Sequence, residues 1–171
     1  MEYSFIIRKA VKSDAGAIHA ILKDSFARYI EESGIPLPLG SLLEDIETIE
    51  GDIEAADVFV AIMDGVPVGT VRVNTHPETP TFFGAAAGEN AGAPALLSKL
   101  GVATGYHNIG IGKSLMNVVD KVIAERGVKT LLLYTAAKNA GIMRFYYGRG
   151  FYVDSTAKDR GYIRALMRKD Y

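Results

Sequence analysis

Gly110, Ile111, Gly112, Lys113 and Ser114 are the residues of this sequence whose types and spacing point most directly to chemistry. They stand between a turn at 104–109 and an apolar repeat, Ile111, Leu115, Val118, Val119, Val122 and Ile123, that has the spacing of one helix face. A helix that opens in glycines presents its first backbone N–H groups bare, with no side chain in the way of an anion. Each charge-assisted hydrogen bond from such an amide is worth about 1.5–3 kcal/mol, against ~0.3–1 kcal/mol from the helix dipole. The amides dominate, and the ligand group they suit is a phosphate or pyrophosphate.

Other chemistries find less to work with. The chain has no cysteine, which excludes disulfides, thiolate metal sites and a cysteine nucleophile. His19 falls on the polar side of a predicted helix, His76 in a proline- and glycine-containing stretch, and His107 in the turn beside the glycines. No His/Asp/Glu cluster has metal-ligand spacing, and no Ser–His–Asp arrangement is visible. Glu31, Glu32, Glu44, Asp45 and Glu47 read as a solvated face, from which one carboxylate could line an amine pocket or act as a base. A P-loop needs a glycine five residues before Gly112, and His107 stands there. A dinucleotide fingerprint matches at Gly110 and Gly112 but has Leu115 at its third position.

The elements that must position this turn follow from the patterns around it. Residues 5–10 read as a strand, followed by a helix capped by Ser13 or Asp14 with Ile18, Ile21, Leu22, Phe26 and Tyr29 on one face. Gly34, Pro36, Pro38 and Gly40 break the chain, and a second helix is expected over 41–55. Residues 58–63 and 66–73 form a hairpin about Asp64–Gly65. The stretch 74–94 has little periodicity and is expected either at the rim of a binding site or disordered. A strand over 96–103 leads into the glycine turn and its helix, which Gly127 stops. Then come a strand over 129–136 buried on both faces, a short helix over 139–149, and two strands around a turn at 158–161. The order predicts an α/β (α+β) fold: a mixed, mostly antiparallel sheet of six to seven strands with helices on both faces.

At 171 residues the chain fits one domain, 1–171. With 19 basic and 20 acidic residues the net charge is −1, which argues against a general nucleic-acid or membrane-surface binder. No apolar run approaches the ~20 residues that span a bilayer, and no signal-peptide pattern opens the chain, so a cytoplasmic protein is expected. An exposed final strand would be open to pairing with a second copy.

The turn Tyr106–His107–Asn108–Ile109–Gly110–Ile111–Gly112 resembles the acyl-CoA pyrophosphate loop of the GNAT superfamily of N-acetyltransferases. The family pattern is Arg/Gln-x-x-Gly-x-Gly/Ala after a strand, and His107 replaces its first residue. Asn139, Phe145, Tyr146, Gly150 and Phe151 resemble the family's downstream Asn-x₆-Tyr-x₃-Gly-Phe segment. The resemblance implies the acyl-CoA N-acyltransferase fold and transfer of acetyl from acetyl-CoA (coenzyme A) to a primary amine on a small molecule, peptide or protein. A catalytically silent acyl-CoA-binding module is the alternative. It further implies that the pantetheine arm lies along Leu100, Gly101, Val102 and Ala103, with a backbone N–H near Val102 as oxyanion donor. The pyrophosphate would meet the amides of His107, Asn108, Ile109, Gly110, Ile111 and Gly112, with Lys113 and Ser114 nearby. Tyr146 would be the general acid, and Asn139 would contact or orient the pantetheine arm. The acceptor would be contacted by 29–41, 74–94 and 155–160, and no metal is expected.

Overall fold

The computed structural model describes residues 3–76 and 92–171. Its elements are β1 (Ile6–Lys9), α1 (Ala15–Ser33), α2 (Ile46–Ala55), β2 (Asp57–Met63), β3 (Val66–Asn74), β4 (Ala95–Val102), α3 (Ile111–Glu125), β5 (Thr130–Ala136), α4 (Ala140–Tyr147), β6 (Tyr152–Asp159) and β7 (Tyr162–Asp170). This is the order that the periodicities predict. The strands form one seven-stranded sheet, β1-β2-β3-β4-β5-β7-β6, in which β4 and β5 are the parallel pair.

Each face of the sheet buries its own core. Val58 and Val60 of β2 pack with Ile18 and Leu22 of α1 and Ile49 and Ile53 of α2. Their neighbour Ala61 turns the other way, toward Leu115, Val119 and Ile123 of α3 and Leu131 and Leu133 of β5. Full burial of such side chains contributes about 1.5–3 kcal/mol each, so both helical layers are firmly seated. The β2–β3 turn has positive φ at Asp64 and Gly65, 51° and 76°, the backbone that matches strand twist in a two-residue hairpin.

Several local expectations need correction. The second helix starts at Ile46 rather than residue 41, because Asp45 caps it by accepting a hydrogen bond from the Thr48 amide at 2.8 Å. Asp14 does not cap α1 with its side chain; that carboxylate accepts from Arg8 at 2.7 and 2.9 Å and from the Val11 amide at 2.7 Å. The final strand is no edge: β7 lies between β5 and β6, so it cannot pair with a second copy. Most of the 74–94 stretch, residues 77–91, lies outside the described residues.

The feature that positions the site is a short parallel contact. β4 and β5 pair only at Ala95–Leu131 and Leu96–Leu132. Three residues later Lys99 adopts φ 55°, and the register between β3 and β4 shifts between Thr70 and Arg72. β4 continues alongside β3 as far as Val102, while its other edge has no strand partner there among the described residues.

Candidate active site

Gly110 stands at the start of α3 with φ 93°, a backbone that glycine takes without a Cβ penalty. The Tyr106 amide donates to Ala103 and the Ser114 amide to Gly110. Between them, the amides of residues 107–113 make no hydrogen bond within the described residues. All of these residues except Ile109 line a groove of about 440 Å³. Of the residues expected at a cofactor, Leu100, Gly101, Val102, His107, Asn108, Gly110, Ile111, Gly112, Lys113 and Tyr146 line this groove.

Ala103, Ile109, Ser114 and Asn139 do not line it. The Ala103 amide is already committed to the Val68 carbonyl at 2.8 Å, so the strand edge on offer ends at Val102. Asn139 is buried: Oδ1 accepts from the Ile142 amide at 3.1 Å, capping α4, and Nδ2 donates to Ser33 Oγ at 3.0 Å. It joins α4 to the end of α1.

Helix α1 holds the turn in place. Asp24 accepts from the Thr104 amide at 2.6 Å and the Thr104 hydroxyl at 2.9 Å, and the amide bond foremost keeps its carboxyl below the usual range. One turn on, Arg28 donates to His107 Nε2. Burial, and then the Arg28 charge, lower the His107 pKa, so its imidazole is neutral at pH 7. Gly101 lets α1 come close, since a Cβ there would lie 3.1 Å from Ser25 Oγ.

A second cleft, about 470 Å³, adjoins the groove and is lined by Leu96 to Leu100 of β4 and Leu133 to Thr135 of β5. The two clefts share Ser25, Arg28, Leu100, Ile142 and Tyr146. Tyr146 is 7% exposed, with its ring edge-on to Phe145 and Phe151 at centroid distances of 5.3 and 5.5 Å. Burial pushes its phenol well above the ordinary tyrosine range, and nearby Tyr29 pushes the same way. The proton therefore stays on at neutral pH and can be donated. Among the described residues, no cluster of His, Asp and Glu could hold a metal, and no helix is long and apolar enough to cross a membrane.

The model of the acetyltransferase (GNAT) family matches residues 17–151. The chain belongs to this family. Among solved structures similar to this GNAT chain is PaiA N-acetyltransferase from Thermoplasma acidophilum in complex with coenzyme A, 21% identical, TM-score 0.78, covering 98% of this chain and 99% of that one. Another is ribosomal-protein-alanine N-acetyltransferase from Brucella melitensis, 23% identical, TM-score 0.72, covering 97% and 99%. The seven-stranded sheet is thus the GNAT fold. A curated relative, mycothiol acetyltransferase of Parafrankia sp., is 29% identical over 115 residues, 64% of this chain but only 36% of that enzyme.

Sequence reasoning missed several residues of this GNAT site. Arg28 and Ser25 line the groove, as do Tyr106 and Phe145, which the motifs contained without a role, and Lys99 makes the bend in β4. Arg28 carried a signal, since it falls three residues after Ser25 and seven after Ile21, on one side of the helix. Nothing local marked Lys99, because a left-handed residue inside a strand has no sequence signature when it is not glycine or asparagine.

Proposed function

We propose that this GNAT protein transfers an acetyl group from acetyl-CoA to a primary amine by direct attack in a ternary complex. One observation carries the reading: two clefts meet at the strand split, with Leu100 and Tyr146 common to both. One cleft offers unpaired amides for a pyrophosphate, and the other is left for an acceptor. In this reading the amides of residues 107–112 hold the pyrophosphate, with Lys113 beside them. Arg28 supplies the cation that His107 does not, reaching the turn from another helix. The open edge of β4, Leu100 to Val102, receives the pantetheine arm, and a backbone N–H near Val102 donates to the carbonyl oxygen as it gains charge.

The amine nitrogen bonds to the acetyl carbon as the carbon–sulfur bond breaks. The departing sulfur takes the Tyr146 proton, and the amine loses one to solvent. No cysteine is present to form an acyl-enzyme. Orientation alone can remove about 7–11 kcal/mol of the barrier, so holding the two partners at the split is the larger part of catalysis. The coenzyme A in the Thermoplasma structure and the amine acceptor in the Brucella enzyme's name support this reading.

The test has two stages. Titration calorimetry with coenzyme A should give saturable heat, and acetyl-CoA with an amine panel should release free thiol at a rate that depends on the amine. Absence of heat overturns the site. Stoichiometric binding with no release from any amine overturns transfer and leaves a binding module.

A further inference from the structure

We propose that the acceptor is a small apolar amine bearing an anionic group, in the simplest case the carboxylate of an amino acid, and that Arg160 holds that group. The inference rests on reading the larger cleft as the acceptor site. Its described lining carries four cations, Arg28, Lys99, Arg160 and Arg164, and a single acid, Glu32. Two of the cations are answered: Arg164 by Asp159 at 2.6 Å and Arg28 by Glu32 at 3.7 Å. Lys99 donates to the Leu42 carbonyl at 3.5 Å and shares two carboxylates with Arg72, since Glu44 lies 4.0 Å from Lys99 and 3.1 Å from Arg72, and Asp52 lies 2.7 Å from Arg72. Arg160 makes no ion pair among the described residues.

Arg160 is placed rather than loose. It sits with Gly161 in the β6–β7 turn, at φ 54° and 83°. The turn lies against the segment after α1, where a Cβ on Gly161 would come 3.2 Å from Pro36 Cγ. The volume of about 470 Å³ lies within the ~300–1,000 Å³ typical of small-molecule sites. Phe26, Leu96, Leu133 and Tyr162 give the walls an apolar and aromatic character. A polycation would bring further positive charge into a cleft already in excess of it. A carboxylate answers that excess with charge-assisted hydrogen bonds.

Coenzyme A binding is measured first, so that loss of the site itself is recognised separately. Thiol release is then compared for phenylalanine, phenylalaninamide, phenethylamine, an amidated alanyl peptide and spermidine. Phenylalanine should exceed each of the others in kcat/KM by about tenfold or more, the yield of one hydrogen bond to a charged group. Arg160→Gln should close that gap through KM, with kcat little changed. Equal rates, or a preference for the peptide, the plain amine or spermidine, overturn the proposal. A readout independent of turnover is binding of phenylacetate to the coenzyme-loaded protein by ligand-observed NMR. Binding to the native chain that is lost in Arg160→Gln supports the assignment. No binding, or binding that survives the substitution, overturns it.

Discussion

Replacing Tyr146 by phenylalanine isolates one proton. The phenylalanine ring keeps the edge contacts to Phe145 and Phe151, at 5.3 and 5.5 Å. The tyrosine hydroxyl makes no hydrogen bond to a described residue, so no partner is orphaned. Stability should change by less than ~0.5 kcal/mol, a shift of about 1–2 °C in melting temperature for a chain of this size. A general acid supplies about 10²–10⁴-fold, and burial decides where in that range this one falls. A phenol raised above its ordinary pKa is a weak acid for a thiolate, whose conjugate thiol titrates near ~8.5. Transfer from so weak an acid places the loss at the lower end, about 10²-fold in kcat, or ~2.7 kcal/mol. The same shift fixes the pH dependence. A raised pKa keeps the acid form present to higher pH, so kcat should show no alkaline decline from this residue up to its ordinary value near ~10. Stopped-flow thiol release under saturating acetyl-CoA reads both quantities. A Phe variant within twofold of the native kcat, with its melting temperature intact, refutes Tyr146 as the acid.

Arg28→Gln should weaken coenzyme A binding by about tenfold, the lower end of ~1.5–3 kcal/mol for a bond to a charged group that keeps some solvent contact; an unchanged calorimetric Kd refutes its role at the pyrophosphate. Gly110→Ala places a Cβ at φ 93° and should cost about 1–2 kcal/mol of stability. At Gly112 a Cβ meets only the Phe145 ring, at 3.8 Å, so Gly112→Ala should fold normally and report on ligand alone; equal thermal stability of the two variants refutes this contrast. Asn139→Ala removes a helix cap worth ~1 kcal/mol and strands the buried Ser33 hydroxyl at about 1–3 kcal/mol more. Its thermal midpoint should fall markedly with the coenzyme Kd unchanged, and the opposite pattern refutes its role as a fastener.

What the sequence made legible was periodic or punctuated. The β-rich runs of β2 and β3, the Asp64–Gly65 turn and the helical spacing of α3 each report a local rule that the tertiary fold obeys. The glycine turn was legible for the same reason, since an unpaired helix start needs small residues. The site's remaining parts depend on distance in the chain. Arg28 and His107 meet across a separation of 79 residues, and Asn139 and Ser33 across 106, which no local pattern encodes. Asn139 is an example: its side chain caps α4 through the Ile142 amide and reaches Ser33, a contact that its place in the motif does not announce. The start of α2 was misplaced because apolar spacing continued upstream of Asp45, where the cap outweighs it.

The site exists because a sheet is left unfinished, and α1 keeps it so. Closing β4 against β5 along its whole length would pair every amide and erase the groove. Two things oppose closure. Lys99 turns β4 out of register with its parallel neighbour, and the amide of Ala136, released at the far end of β5, is taken by the Tyr29 hydroxyl at 2.7 Å. A buried amide without a partner costs about 1–3 kcal/mol; the phenol removes that cost, so the open arrangement carries no penalty at this end. Tyr29 lies on the same helix as Asp24 and Arg28, which fix the glycine turn, and as Ser25, which packs on Gly101. One helix thus props the strands apart, anchors the glycine turn and walls both clefts. Substitutions along that face of α1 should disturb coenzyme and acceptor binding together, because the same few residues shape both.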